Sequence, residues 1–146
     1  MKNVMGRVLL TIGTWAFVYA LPAVPLEGLP NLGVRLPARA YEVDMWPQAL
    51  GIPGGIAGAV FLALLAITGH ARRYENCATG WLAVRGAVSG LIAGGILLVI
   101  RRGEPLVMSM IIVGGAAVLG ALAAPASAFV LRFLARRGQS PAGAHA

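Results

Sequence analysis

Residues 81–100 read WLAVRGAVSGLIAGGILLVI. A helix rises about 1.5 Å per residue, so a run of this length, with Arg85 as its only charge, crosses a hydrocarbon core about 30 Å thick. Its glycines Gly86, Gly90 and Gly94 recur at every fourth position. That spacing puts them on one helix face. A face without side chains admits a second helix at close range, with a gain in dispersion and in Cα–H···O contacts. The stretch therefore predicts a membrane helix with a packing seam. The expected partner is the next apolar run, 106–131, in which Ala116, Gly120 and Ala124 stand at the same spacing. Only residues 101–105 separate the two runs, which predicts a tightly packed hairpin.

Working outward, two further apolar runs occupy residues 8–24 and 52–69. The second carries no charge and begins among Gly51, Gly54, Gly55 and Gly58, again paired four apart. The fold class that follows is all-α: a polytopic membrane protein with four transmembrane helices in a single domain over residues 1–137. The connection 25–51 is the one sizeable extramembrane segment. Pro25, Pro30, Pro37 and Pro47 disfavour a long continuous helix there. A short interfacial helix over 38–45 is expected, and Tyr41 and Trp46 suit the headgroup depth because their rings are apolar with one polar atom. The tail 138–146 is small and polar and is expected to be disordered.

The first run has a second reading. Lys2 and Arg7 precede it, and Val18, Tyr19 and Ala20 form a tolerable cleavage site, which is the outline of a signal peptide. An uncleaved helix is preferred, since the run is long for a signal core and three spans follow it.

Composition supports the membrane class. Of the 146 residues, 58% are hydrophobic and 12% charged, against roughly half and a quarter in soluble domains. A short chain has little interior in which to hide that surface. The net charge is +7, but the basic residues stand beside apolar runs, and this distribution argues against nucleic acid as a partner. Cys77 is the only cysteine, so no intrachain disulfide can form.

Lys and Arg also orient the chain. With four spans and the N-terminus inside, Lys2, Arg7, Arg72, Arg73, Arg85, Arg132, Arg136 and Arg137 lie on the inner side. Arg35, Arg39, Arg101 and Arg102 lie outside. Eight against four favours both termini in the cytoplasm, N-in/C-in. The Arg101–Arg102 pair runs against the rule and is accommodated by snorkelling. The cell membrane expected is a bacterial inner membrane.

Few side chains suggest chemistry. Arg85 is expected about one turn inside its span, where a charge is costly. It either snorkels or binds an anionic lipid or a partner's carboxylate. Arg132 and Trp46 are further candidates for lipid or partner contact. No Asp or Glu lies within a span, which disfavours a proton relay. His70 and Cys77 are too few for a metal centre. Ser89, Ser109 and Ser127 have no base at a suitable depth to activate them. Pro125 removes a backbone donor in the fourth span and predicts a kink, with Ser127 available to a freed carbonyl.

Residues 7–29, RVLLTIGTWAFVYALPAVPLEGL, resemble the first transmembrane helix of the SecY translocon channel, with Arg7, Gly13, Pro25 and Gly28 at matching spacings. Residues 49–53, ALGIP, are similar to the start of that family's second helix. The intervening plug region is much shorter here and the channel's second half has no counterpart, so no function is carried over.

These readings lead to a non-enzymatic function without a cofactor. The chain is expected to be a small integral-membrane accessory or scaffold subunit, assembling through small-residue helix faces with a larger membrane complex. Its expected partners are membrane lipids and other integral-membrane subunits or a second copy of itself. The alternative is a small homo-oligomeric channel or transporter.

Overall fold

The computed structural model describes residues 4–22, 46–70, 74–100 and 105–137. Four α-helices follow one another: α1 Val4–Ala20, α2 Trp46–Ile67, α3 Thr79–Ile100 and α4 Leu106–Arg137, with a 3-10 turn at Tyr74–Asn76 between α2 and α3. No strand occurs among the described residues. The expected interfacial helix at 38–45 and the tail at 138–146 lie outside the described residues.

Cross-contacts fix the direction of each helix. Gly51 stands against Ala16 and Ala20, and Gly58 against Ile12 and Trp15, so α2 runs antiparallel to α1. Gly86 stands against Gly120 and Ala124, and Gly94 against Val113, so α4 runs antiparallel to α3. The Tyr19 hydroxyl donates to the Ala116 carbonyl, joining α1 to α4, and Ser89 Oγ donates to the Ala57 carbonyl, joining α3 to α2. The result is an up–down–up–down bundle. Its most extensive pairings are α3 with α4 and α1 with α2.

Small residues make up much of the interior, and large aliphatics much of the surface. Inside lie Ala57, Ala93, Ala116, Ala123, Ala124 and Ala128. Outside lie large aliphatics such as Ile52, Ile67, Val84, Val99, Ile111, Val118 and Leu122. Water would drive those branched side chains inward. Lipid gives them no reason to leave, and helices then associate by close backbone approach at small residues. Three of the helices, α2 to α4, contain stretches long and apolar enough to span a membrane.

The larger buried side chains cluster between α1 and α2. Phe61 has its ring centroid 5.1 Å from that of Trp15 and 5.7 Å, edge-on, from that of Tyr74. Trp15 also stacks on Tyr19 at 6.2 Å. Gly54 and Gly58 make room for these rings: a Cβ at Gly58 would lie 2.9 Å from that of Trp15. The Trp15 indole N–H is buried without a hydrogen-bond acceptor among the described residues.

Helix boundaries differ from the sequence expectation in instructive ways. The first helix begins at Val4, four residues before the expected start, and takes Arg7 into its first turns. The second begins at Trp46, so Pro53 stands inside it rather than at its start. The fourth runs six residues beyond 131, to Arg137, and continues through Pro125. Ser127 Oγ donates to the Ala124 carbonyl at 2.8 Å. The carbonyl that Pro125 leaves without its usual donor belongs to Ala121, so Ser127 serves a different one. At the end of α2, Gly69 takes φ +72°. Its N–H reaches the Ala66 carbonyl at 3.1 Å, and the His70 N–H reaches that of Leu65 at 2.9 Å. This is a Schellman cap, which calls for a left-handed residue at the Gly69 position.

Candidate functional site

Two features stand out as candidates: the glycine seam between α3 and α4, and the basic end of the bundle formed by the start of α1, the end of α2, residues 74–78 and the last turns of α4.

At the seam, the structure brings together the small residues singled out from the sequence. An added Cβ on Gly90 would fall inside the Ala116 carbonyl, and one on Gly86 would meet the Gly120 carbonyl and lie 2.7 Å from the Cβ of Ala124. At Gly94 it would stand 3.0 Å from the Cα of Val113 and 3.3 Å from the Cβ of Ala116. Gly120 in turn faces the Gly86 carbonyl. The Ala116 carbonyl also accepts the Tyr19 hydroxyl at 2.7 Å. One peptide group of α4 thus serves as a common contact for α1 and α3.

At the basic end, Arg7 on α1 forms an ion pair with Glu75, both side chains about a quarter exposed. From α4, Arg132 donates Nε to the Glu75 carbonyl and Nη2 to the Cys77 carbonyl, the latter at 3.1 Å. The segment 74–77 is therefore held from both sides by arginines. Beneath it, Thr11 Oγ1 and the Tyr74 hydroxyl lie 2.6 Å apart, while Thr11 Oγ1 donates to the Arg7 carbonyl at 2.8 Å. Since Thr11 has one proton, already given to that carbonyl, Tyr74 is the donor of the pair. Burial, the largest cause, pushes the Tyr74 hydroxyl above its ordinary value of 10, and the charge of Arg7 pulls less strongly the other way. A raised phenol pKa keeps this donor protonated at neutral pH; its stabilising share is lost only as pH climbs through the folded value.

The ion pair has a measurable worth. Glu75→Gln is expected to lower the unfolding free energy in detergent by about 1–2 kcal/mol, between the values for exposed and buried pairs. Arg7→Gln should cost a similar amount. The double variant should cost clearly less than the two losses added together, which a double-mutant cycle reads directly.

Arg85 belongs to a separate group on the outer side of the same end. Its guanidinium lies 4.1 Å from the Trp81 ring centroid and donates Nη1 to Thr68 Oγ1 at 2.7 Å. The His70 ring stands 4.9 Å from that of Trp81, with Nδ1 2.6 Å from the Thr68 carbonyl. Trp46 begins α2 at the opposite end of the bundle, and its side chain falls outside the described residues. Arg85 and Arg132 thus share an end, while Trp46 does not.

Sequence reading did not single out Tyr19, Thr11, Tyr74 or Glu75 for these roles, and it weighed Ser89 only as a nucleophile. Their roles depend on neighbours 32 to 97 residues away, a separation that leaves no local signal. Among the described residues no three His, Cys, Asp or Glu side chains converge as metal ligands do. In comparisons with known protein families, curated proteins and solved structures, nothing matches the chain.

Proposed function

We propose that the chain is an integral-membrane accessory or scaffold subunit that crosses a bacterial inner membrane four times, with both termini in the cytoplasm. The fourth crossing rests on α1. Its 17 residues reach about 26 Å at 1.5 Å per residue, a little short of the hydrocarbon thickness. Even so, α1 matches the height of its neighbours: its last turn stands beside Gly51 near the start of α2, and Arg7 near its start meets Glu75 beyond the other end.

The observation that carries the scaffold reading is where the small residues go. The Gly86–Gly90–Gly94 face is closed against α4 by backbone contact, so the interior of one chain leaves no room for a conduit along this seam. The outer faces of α3 and α4 carry Val84, Val88, Leu91, Val118 and Leu122. Such a surface makes a poor lining for a water-filled pore between copies, which needs polar groups. This favours a scaffold over the channel or transporter alternative.

Docking on a larger subunit would use the small residues still facing outward. Gly95 on α3 and Gly114 and Gly115 on α4 meet nothing within 4 Å of an added Cβ. The contact of Gly94 with Val113 sets Gly95 and Gly114 at the same height.

Purification of the full chain from its native membrane in mild detergent, followed by mass spectrometry, tests the proposal. A larger membrane protein in fixed stoichiometry is expected, and Gly95→Leu with Gly114→Leu should release it while the bundle stays folded. A homo-oligomer alone would refute the accessory role.

A further inference from the structure

We propose that Arg85, Trp81, Thr68 and His70 form a binding site for the phosphodiester of an anionic lipid headgroup.

The first argument is position. Arg85 stands six residues into α3, about 9 Å from its start at 1.5 Å per residue. Its side chain does not extend outward at that depth. It runs back over Trp81, one turn nearer the helix start, and reaches Thr68 just beyond the last residue of α2. The guanidinium is thus carried to the end of the bundle, where headgroups begin, and a tryptophan ring is at home at that level.

The second argument is charge. The chain has five acidic residues. Glu75 is paired with Arg7. Glu27, Glu42 and Asp44 belong to the connection between α1 and α2, and Glu104 to that between α3 and α4. The helix ends joined by those connections are at the far end of the bundle. Among the described residues Glu75 is the only acidic one and it is taken by Arg7, so a guanidinium held at the membrane boundary has none of these to pair with and is open to an anion from outside. The contacts with Thr68 and Trp81 orient it without neutralising it.

The third argument is preorganisation. Thr68 Oγ1 donates its own proton to the Leu64 carbonyl at 2.8 Å, so its lone pairs are left to receive Arg85. The Thr68 contact engages one of the five guanidinium N–H groups among the described residues, and the planar fork suits the two non-bridging oxygens of a phosphodiester. His70 donates Nδ1–H to the Thr68 carbonyl, since a carbonyl can only accept, and this leaves Nε2 as a second nitrogen at the same site.

Arg132 makes a useful contrast. Its Nε and Nη2 are held by loop carbonyls, which suits a clasp.

Free phosphate offers the same oxygens. The lipid is favoured because exposed apolar side chains lie alongside, Val84 and Val88 on α3 and Ile67 at the end of α2, where acyl chains would rest. This inference needs the bundle to lie in a bilayer but needs no partner subunit. Loss of the partner-subunit reading therefore leaves it standing.

The test is native mass spectrometry of the full chain released from nanodiscs of phosphatidylcholine alone or mixed with phosphatidylglycerol. Retention of phosphatidylglycerol over phosphatidylcholine is expected. Arg85→Gln should weaken it about tenfold or more, as for loss of a charge-assisted bidentate contact. Arg85→Lys keeps the charge without the fork and should fall between. Arg132→Gln should keep the preference. Inorganic phosphate should displace the lipid poorly. Equal retention of the two lipids by the unaltered chain overturns the proposal, whatever the variants do. So does a preference that survives in Arg85→Gln, and ready displacement by inorganic phosphate would assign the site to the free anion instead.

Discussion

Replacing Gly90 with leucine is expected to abolish the folded bundle, and replacing it with alanine to destabilise it by about 3 kcal/mol, at the upper end of the usual cost of overpacking. The reason is geometric. The hydrogen in the Cβ direction points at the Ala116 carbonyl, and a methyl group there would overlap it. A flexible side chain would yield, but a helix backbone moves only with its whole helix. Moving α4 outward would also stretch the bond from Tyr19 to the same carbonyl, so α1 would be disturbed with it. Gly95→Ala and Gly114→Ala provide the control. Neither Cβ meets anything within 4 Å, and each should change stability by no more than about 0.5 kcal/mol. Unfolding in detergent, followed by circular dichroism, separates the two groups. Equal effects at Gly90 and Gly95 would show that helix propensity, and not the seam, sets the outcome.

Phe61→Ala is expected to be the second severe change, costing about 3 kcal/mol. Phe61 is fully buried and touches Trp15 on α1 and Tyr74 in the following turn. In a bilayer, little of the cost comes from transfer out of water. It comes from lost dispersion contacts and a cavity between helices, plus two ring pairings worth about 0.5–1.5 kcal/mol each. Since Tyr74 leads into the segment clasped by Arg7 and Arg132, the variant should also loosen that segment. Cys77 lies there, half-buried, and should react faster with maleimide in Phe61→Ala than in the unaltered chain. Unchanged stability with unchanged Cys77 reactivity would show that the aromatic cluster does not hold the two helices and the turn together.

Much of the architecture could be read from residues 81–100 and 106–131, because a four-residue glycine spacing is a local signal with one geometric meaning. The ends of the helices were less legible. Arg7 looks like a boundary when read along the chain, since a lone charge next to an apolar run marks a membrane surface. It lies inside α1, where Glu75, 68 positions away, meets its charge. The apolar run 106–131 leads on into Arg132, Arg136 and Arg137, and the helix continues through them. Hydropathy falls at Arg132, but arginine favours helix, and no breaker follows until Gly138. Pro53 reads as a helix start, yet the helix begins earlier, at Trp46, with Pro47 in the first turn, where its missing N–H costs nothing.

The candidate sites divide in the same way. Arg85 was conspicuous as a charge within an apolar run, and Trp81 stands one turn before it on the same helix, but its partner Thr68 comes from the fold. The bonds from Tyr19 and Ser89 to backbone carbonyls had no sequence signature, because a hydroxyl that joins two helices looks like any other until the facing carbonyl is known.

Side-specific labelling of cysteines tests the central claim, a four-span bundle with its basic end in the cytoplasm. The native Cys77 marks one end. Arg102→Cys, in a Cys77→Ser background, marks the other. With a membrane-impermeant maleimide on intact spheroplasts, the account predicts labelling at position 102 and none at Cys77 until the membrane is opened. Labelling of Cys77 from outside, with position 102 protected, would contradict it.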